Sequence, residues 1–433
     1  MNKIKKSVVL MILLALTLIL FTACGSDDKA SGSGDGVVEL KFLHKWPQPE
    51  YSVYFDDMIK KFEAENENIK IKVEAVGDEP IKDKLRILMG TDTQPDIFFT
   101  WSGEFATKFV KSGNSLDLTD ALNKNPQWKN SIMEAGLEPF TYEGKNYGIP
   151  LRINGKFFVY NTEMFEKYNL EKPKTWDEFL VVLETLKSNG ITPIGFGNIF
   201  PWAGSHYLTG LNQKFVPQEV RMKDYNPKTG EFTDPGYVKA LEYFKELNDK
   251  GYFNSGVNST EHNMASEMFY GEQVAMVYVE LEEFSEMEEG LPGKWDFFAM
   301  PEITEGKGNK NYLTGAPDGF MISGKTKHPE EAIKFLEFLT NMENSLELVE
   351  VTGWPSPIIG AVSLDNSSEY LVEGMNAIAQ AEGMALWLDT DIHIKISDVY
   401  LPNLQELLNG TKTPEQIMKE VQDMALEVQK EAE

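Results

Sequence analysis

Two tryptophans stand where strand-like runs give way to loops, each beside polar groups. Trp46 lies in LHKWPQP, with Lys45 before it, just after a strand-like run at Val38–Leu43. Trp101 follows the apolar run DIFFT at Asp96–Thr100 and precedes Ser102. An indole offers a large, flat, electron-rich face to C–H groups. Charged groups make the stronger hydrogen bonds to hydroxyls. Together they suit a ligand with apolar faces and a hydroxyl rim. Ligands of open α/β sheets gather beyond the carboxyl ends of the strands, where both tryptophans would lie.

Covalent chemistry has less support. The chain holds no G-x-S-x-G elbow, no H-E-x-x-H pair and no P-loop. Its histidines (His44, His206, His262, His328, His393) are scattered, with no two at metal-ligand spacing. Acid pairs such as Asp389/Asp391 or Glu282/Glu283 arise by chance among 68 acidic residues, so they read as a solvated acidic face. No catalytic residue, metal site or cofactor is expected.

The 433 residues include 41 Lys and Arg against 68 Asp and Glu, a formal charge of −27. So acidic a surface repels phosphate backbones and anionic headgroups, which argues against a nucleic-acid partner. A chain this long suggests two large domains or three smaller ones. The single cysteine excludes an intramolecular disulfide and any Cys-clustered metal site.

That cysteine, Cys24, has a telling position. Lys3, Lys5 and Lys6 precede a nearly unbroken apolar run from Val8 to Phe21. The run is short for a spanning helix, which needs about 20 residues, and fits a secretory signal. Thr22 and Ala23 then lead into Cys24, Gly25 and Ser26. This resembles a bacterial lipoprotein signal, in which the cysteine is acylated and becomes the mature N-terminus; Phe21 replaces the usual leucine. Residues 1–23 are thus expected to be a signal peptide. Residues 24–36, rich in Gly, Ser and Asp, would be a flexible acylated tether that holds the protein at the outer face of the cell membrane.

The elements that must position the tryptophans follow from periodicity. Val38–Leu43, Ile69–Val73 and Asp96–Thr100 read as strands. Helical patterns lie between them, at 51–65 and over Ile81–Met89. This β-α-β-α-β order argues for a parallel sheet covered by helices. A second unit follows YGIPL (147–151), with strands at Phe157–Tyr160 and Val274–Val279. Thr175 and Glu178 form a capping box. Pro329 and Pro414 mark helix starts.

Several blocks along the chain carry a family resemblance. They include QPDIFFTW (94–101), YGIPL (147–151), VYNTEMFEKYNL (159–170), KPKTWDEF (172–179), GITPIGFG (190–197), FYGEQVAM (269–276), TGAPDGFMIS (314–323) and KHPEEAIKFLEFLT (327–340). Their order and spacing resemble the extracellular solute-binding proteins of carbohydrate ABC importers, relatives of maltose-binding protein. The resemblance implies a two-lobe periplasmic-binding-protein-like α/β fold with hinge crossings and a central cleft. The N-terminal lobe would be 37–150 plus 314–342, and the C-terminal lobe 153–303 plus 350–433. It implies a monomer that captures a mono- or oligosaccharide and delivers it to the transmembrane subunits of an ABC permease.

It also implies further cleft residues. Arg152 falls at the first crossing, and Asp318 where the chain re-enters the N-terminal lobe; Gly315 and Gly319 would let backbone approach the ligand. Trp202 and Trp387 fall where relatives present aromatics, with Asp389 beside the latter. Glu280 stands where relatives show Gly, and no Trp follows it, so a carboxylate would replace one stacking platform. Trp354 is balanced between hinge packing and ligand contact, while Trp128, Trp176 and Trp295 are expected to be structural. Two alternatives stay open: the same fold binding a peptide, polyamine or chelate, and a secreted glycoside hydrolase.

Overall fold

In the computed structural model, which describes residues 36–88, 90–91 and 94–432, the alternating runs become strands. These are β1 (Val38–His44), β2 (Ile69–Ala75), β3 (Ile97–Trp101), β4 (Thr141–Tyr142), β5 (Lys145–Asn146), β6 (Gly148–Asn161), β7 (Thr192–Gly195), β8 (Val274–Glu280), β9 (Trp295–Ala299), β10 (Tyr312–Ile322) and β11 (Gly383–Ala385). The signal-like segment, Cys24 and nearly all of the tether lie outside the described residues.

All but β4 and β5 join one sheet. Its main path runs β2-β1-β3-β10-β6-β8-β7, with β11 on β10 and β9 on β6. β1 pairs in parallel with β2 and β3, through helices Pro49–Glu65 and Asp78–Leu88. The expected parallel arrangement of these three strands holds, and β7–β8 and β10–β11 are parallel as well. β10 enters antiparallel to both β3 and β6, because it returns from the distal half of the chain. The sheet is therefore mixed.

β6 is the element the sequence hid. All 14 of its residues are buried. Gly148–Pro150 and Arg152–Gly155 pair with β10, while Lys156–Tyr160 pair with β8. One strand thus runs through both halves of the sheet, where the sequence pattern marked only Phe157–Tyr160 as a strand. The polar stretch Arg152–Lys156 masks the strand pattern, yet each of its charged side chains has a partner. Beyond the junction the pleat splits the strand cleanly: Phe158 and Tyr160 enter one core, Phe157 and Val159 another.

Three apolar cores support this frame. The first gathers Phe42, Phe55, Phe98, Phe320 and Phe335 around the β1-β3-β10 region. The second holds Phe158, Phe179, Tyr207 and Leu404, and the third Phe157, Phe284, Trp295 and Leu371. Trp128, Trp176 and Trp295 are all buried in these cores. Trp354, Ile358 and Ala361 belong to the first core, although the resemblance placed residues after 350 in the second lobe. Backbone bonds hold them there: Ile153 N–H donates to Pro355 O (2.9 Å), and Met133 N–H to Pro357 O (2.9 Å).

The glycines of β10 serve strand packing. A Cβ on Gly315 would lie 2.1 Å from Asn154 O, and one on Gly319 would lie 2.1 Å from Ile149 O. Both therefore press against the β6 backbone, a correction to the expectation that they open the way to ligand. The Thr175/Glu178 capping box forms as expected, and Pro329 and Pro414 begin their helices.

Candidate functional site

The carboxyl ends of β1, β3 and β8, the middle of β6 and β10, and two distal segments converge on one cavity of about 270 Å³. Nine of the ten residues singled out from the sequence line it: Lys45 and Trp46 after β1, Trp101 closing β3, Arg152 and Asp318 facing each other on β6 and β10, Glu280 closing β8, Trp202, and Trp387 with Asp389. Ser102 is the exception. Its side chain is buried beside the wall, with an Oγ that has no hydrogen-bond partner.

Arg152 organises the floor. Its Nε donates to Asp318 Oδ1 and its Nη2 to Asp318 Oδ2, both at 2.9 Å. Its Nη1 lies 2.5 Å from Glu282 Oε2. The guanidinium also packs 5.0 Å from the Trp46 ring and 4.7 Å from the Trp354 ring. Trp354, fully buried, is thus the base of the stack. Burial works against the charge on Arg152, but Asp318 and Glu282 outweigh it and raise the pKa. Burial lifts the Glu282 carboxyl above its ordinary range, with Arg152 opposing the shift. Such a pair is worth little net stability but is costly to break, since the survivor is left buried and unpaired.

On one wall, Lys45 Nζ meets Asp78 Oδ1 at 2.7 Å and stands 5.0 Å from the Trp101 ring centre. On the other, helix Trp202–Phe215 presents Trp202 and His206, four residues apart and so on one face. Trp387 stacks on His206, with ring centres 4.2 Å apart and planes at 18°. The Trp387–Asp389 segment is pinned to that helix, where Leu388 N–H donates to Thr209 Oγ1 at 2.8 Å and Ser205 Oγ–H to Asp389 Oδ1 at 3.2 Å. Burial pushes Asp389 up to about 6 and drives His206 well below its ordinary pKa. His206 Nδ1 is buried without a hydrogen-bond partner. Glu283, although buried, is held down at about 2 by His262, whose Nε2 lies 2.7 Å away.

The sequence reading missed Tyr51, Lys82, His206, His262, Glu282 and Glu283 among the lining residues. Some of this was legible: His206 lies one helical turn beyond Trp202, and Glu282 and Glu283 directly follow the β8 end. A larger cavity, about 1400 Å³, lies across the Leu386–Asp391 segment. Trp387 and Asp389 line the smaller space, Leu386 and Asp391 the larger. The larger space has no tryptophan in its lining. The smaller is where flat rings and hydrogen-bonding charges meet, so it is the candidate site. Its volume falls just under the common range of about 300–1,000 Å³ for small-molecule pockets.

Residues 46–345 match the family described as bacterial extracellular solute-binding protein. The chain belongs to this family. Its members are binding proteins that act outside the cytoplasm. Among curated relatives, the multiple sugar-binding protein of Streptococcus mutans is 26% identical over 397 residues, covering 88% of this chain and 89% of the relative. The arabinooligosaccharide-binding protein of Bacillus subtilis is 26% identical over 355 residues, covering 78% and 77%. Among solved structures, a chitin oligosaccharide binding protein superposes with a TM-score of 0.83 at 26% identity, covering 92% of this chain and all of that one. The fold is therefore the two-lobe architecture of these receptors.

Proposed function

We propose that this protein is the substrate receptor of an ABC importer for a sugar or oligosaccharide. One observation carries the reading: Trp46 and Trp101, expected on the N-terminal lobe, and Trp202 and Trp387, expected on the C-terminal lobe, line one small cavity that is also rimmed by ion-paired carboxylates. Indole faces suit the C–H faces of a pyranose, and carboxylates, Lys45 and Arg152 suit its hydroxyls. The printed names of the relatives point the same way. The ten residues from Lys45 to Asp389 named above are proposed as the binding set, Ser102 acting from behind the wall.

In this reading the lobes, 37–150 plus 314–342 and 153–303 plus 350–433 with the Trp354–Ala361 excursion into the first core, close on the ligand as a monomer. The closed form then docks on the permease. The ligand is carried unchanged, without catalysis or cofactor. Cys24 bears the lipid anchor, and the protein works at the outer face of the membrane.

A thermal-shift panel of neutral and charged saccharides against short peptides, polyamines and metal chelates tests the reading, because a ligand that binds only the folded protein raises its melting temperature. Shifts with saccharides support it, and shifts confined to peptides, polyamines or chelates contradict it. Mass spectrometry of the membrane-extracted protein tests the anchor: an acylated N-terminal Cys24 is expected, and an unmodified one contradicts it.

A further inference from the structure

The cavity is unevenly charged. Seven carboxylates line it against three Lys or Arg side chains. Most of the carboxylates are accounted for. Asp318 and Glu282 share Arg152, Asp78 holds Lys45, and Glu283 holds His262. Glu280 has Lys156 Nζ at 3.4 Å, and Glu286, at the exposed rim, accepts from Tyr51 OH at 2.9 Å.

Asp389 differs. Its side chain is only 9% exposed. Its hydrogen-bond donors are neutral, the hydroxyl of Ser205 and its own backbone N–H. Among the described residues, the only group in ion-pair range is His206 Nε2, at 3.8 Å. That imidazole lies deep in the protein among Lys156, His262, Lys82 and Lys45, all of which disfavour its protonation. Lys82 faces Asp389 at longer range, and Asp78 opposes it. A buried carboxylate without a cation is costly.

His206 supplies an independent sign of a missing partner. It is 4% exposed, it lines the cavity, and its Nδ1 has no hydrogen-bond partner. Its two ring nitrogens look toward two carboxylates, Glu280 at 3.5 Å and Asp389 at 3.8 Å. Trp387 and Trp202 flank the imidazole, with ring centres 4.2 and 5.2 Å away. Two carboxylates, a neutral imidazole and two indoles form an environment suited to an ammonium group, through charge pairing and cation–π attraction. A hydroxyl would leave the Asp389 charge uncompensated.

We infer that the natural ligand is a cationic saccharide, an amino sugar with a free ammonium group, and that Asp389 and Glu280 beside His206, Trp202 and Trp387 form its ammonium subsite. This rests on the sugar reading and narrows it.

Calorimetry on the full soluble chain with three matched series separates the two: glucosamine, galactosamine and chitosan disaccharide, each against its N-acetylated form and its uncharged hydroxyl parent. At least one amine is expected to bind tenfold or more tightly than both counterparts. Asp389→Asn should erase that preference, and Glu280→Gln should reduce it, with ligand-free melting curves confirming that both variants fold. An uncharged sugar bound as tightly as its amine, or a preference that survives Asp389→Asn, overturns the ammonium subsite and leaves the sugar reading standing. No binding of any saccharide, alongside binding of spermidine, overturns both.

Discussion

Arg152 and Asp318 are direct cross-strand partners on antiparallel β6 and β10, and their side chains meet in a bidentate ion pair with both contacts at 2.9 Å. The two strands that run through both halves of the molecule are thus locked by charge at the floor of the cavity. The register shifts immediately afterwards, between Asp318 and Gly319. In the proposed reading the pair lies where hinge and site coincide, so it would bear on both stability and binding.

Breaking this pair from one side should be severe. Arg152→Met leaves Asp318 and Glu282 buried around an apolar chain, and a loss of about 3–5 kcal/mol is expected. Urea denaturation measures it. The double variant Arg152→Met/Asp318→Asn should recover part of the loss, because one stranded charge is gone; a double variant no more stable than the single one contradicts the account.

In the proposed reading Trp387 has two roles. It is 4% exposed, lies in the first core and stacks on His206. Trp387→Ala should weaken saccharide binding tenfold or more, about 1.4 kcal/mol. It should also destabilise the fold by about 3–5 kcal/mol, as large aromatic truncations do. Trp387→Leu retains more volume and separates the effects: affinity falls while most of the stability returns. Unchanged calorimetric affinity in Trp387→Leu removes Trp387 from the site.

Asp389 should make stability depend on pH. Burial raises its folded pKa to about 6, with Ser205 and Lys82 opposing and Asp78 adding to the shift. The unfolded value lies near the ordinary one of about 3.9. Between about pH 4 and 6 the folded protein therefore holds a proton that the unfolded chain has released. This contribution is fully present below about pH 4 and is lost as pH rises through about 6. Ligand-free Asp389→Asn should thus match the parent at pH 4 and exceed it at pH 7.5, by up to about 3 kcal/mol. Denaturation at the two pH values checks this, and an equal difference at both contradicts it.

Gly103 tests closure. It has φ +75°, and a Cβ there would lie 2.8 Å from Asp391 Oδ1 and 3.2 Å from Asp391 Cα. The loop after β3 therefore touches the segment that carries Trp387 and Asp389. Gly103→Ala should prop that contact open and weaken ligand binding about fivefold, close to 1 kcal/mol. Titration calorimetry reads it; an affinity equal to the parent's contradicts a role for this contact in closure.

Much of the fold was legible because local physics decided it. β1, β2, β3 and β8 have uninterrupted apolar or alternating patterns, and the Thr175, Pro329 and Pro414 helix starts carry their own signals. β6 was not legible as one strand, since its pattern breaks at Arg152–Lys156 and is rescued only by partners over 100 residues away, Asp318, Glu280 and Glu282. Trp46 and Trp101 were legible because an indole at a strand end is conspicuous in a loop, whereas Trp202 and Trp387 were expected from the family resemblance. His262 and Tyr51 were not, because only the meeting of distant segments gives them a role. The return of Trp354–Ala361 to the first core was hidden for the same reason: backbone bonds to residues 131–153 fix it.

Small-angle scattering of the soluble chain, recorded with and without each saccharide that gives a calorimetric signal, tests the central claim most directly. The account predicts that at least one saccharide both binds and reduces the radius of gyration, as the lobes close over the tryptophans and carboxylates of the cavity. Identical dimensions with every saccharide, and no heat on mixing, would contradict it.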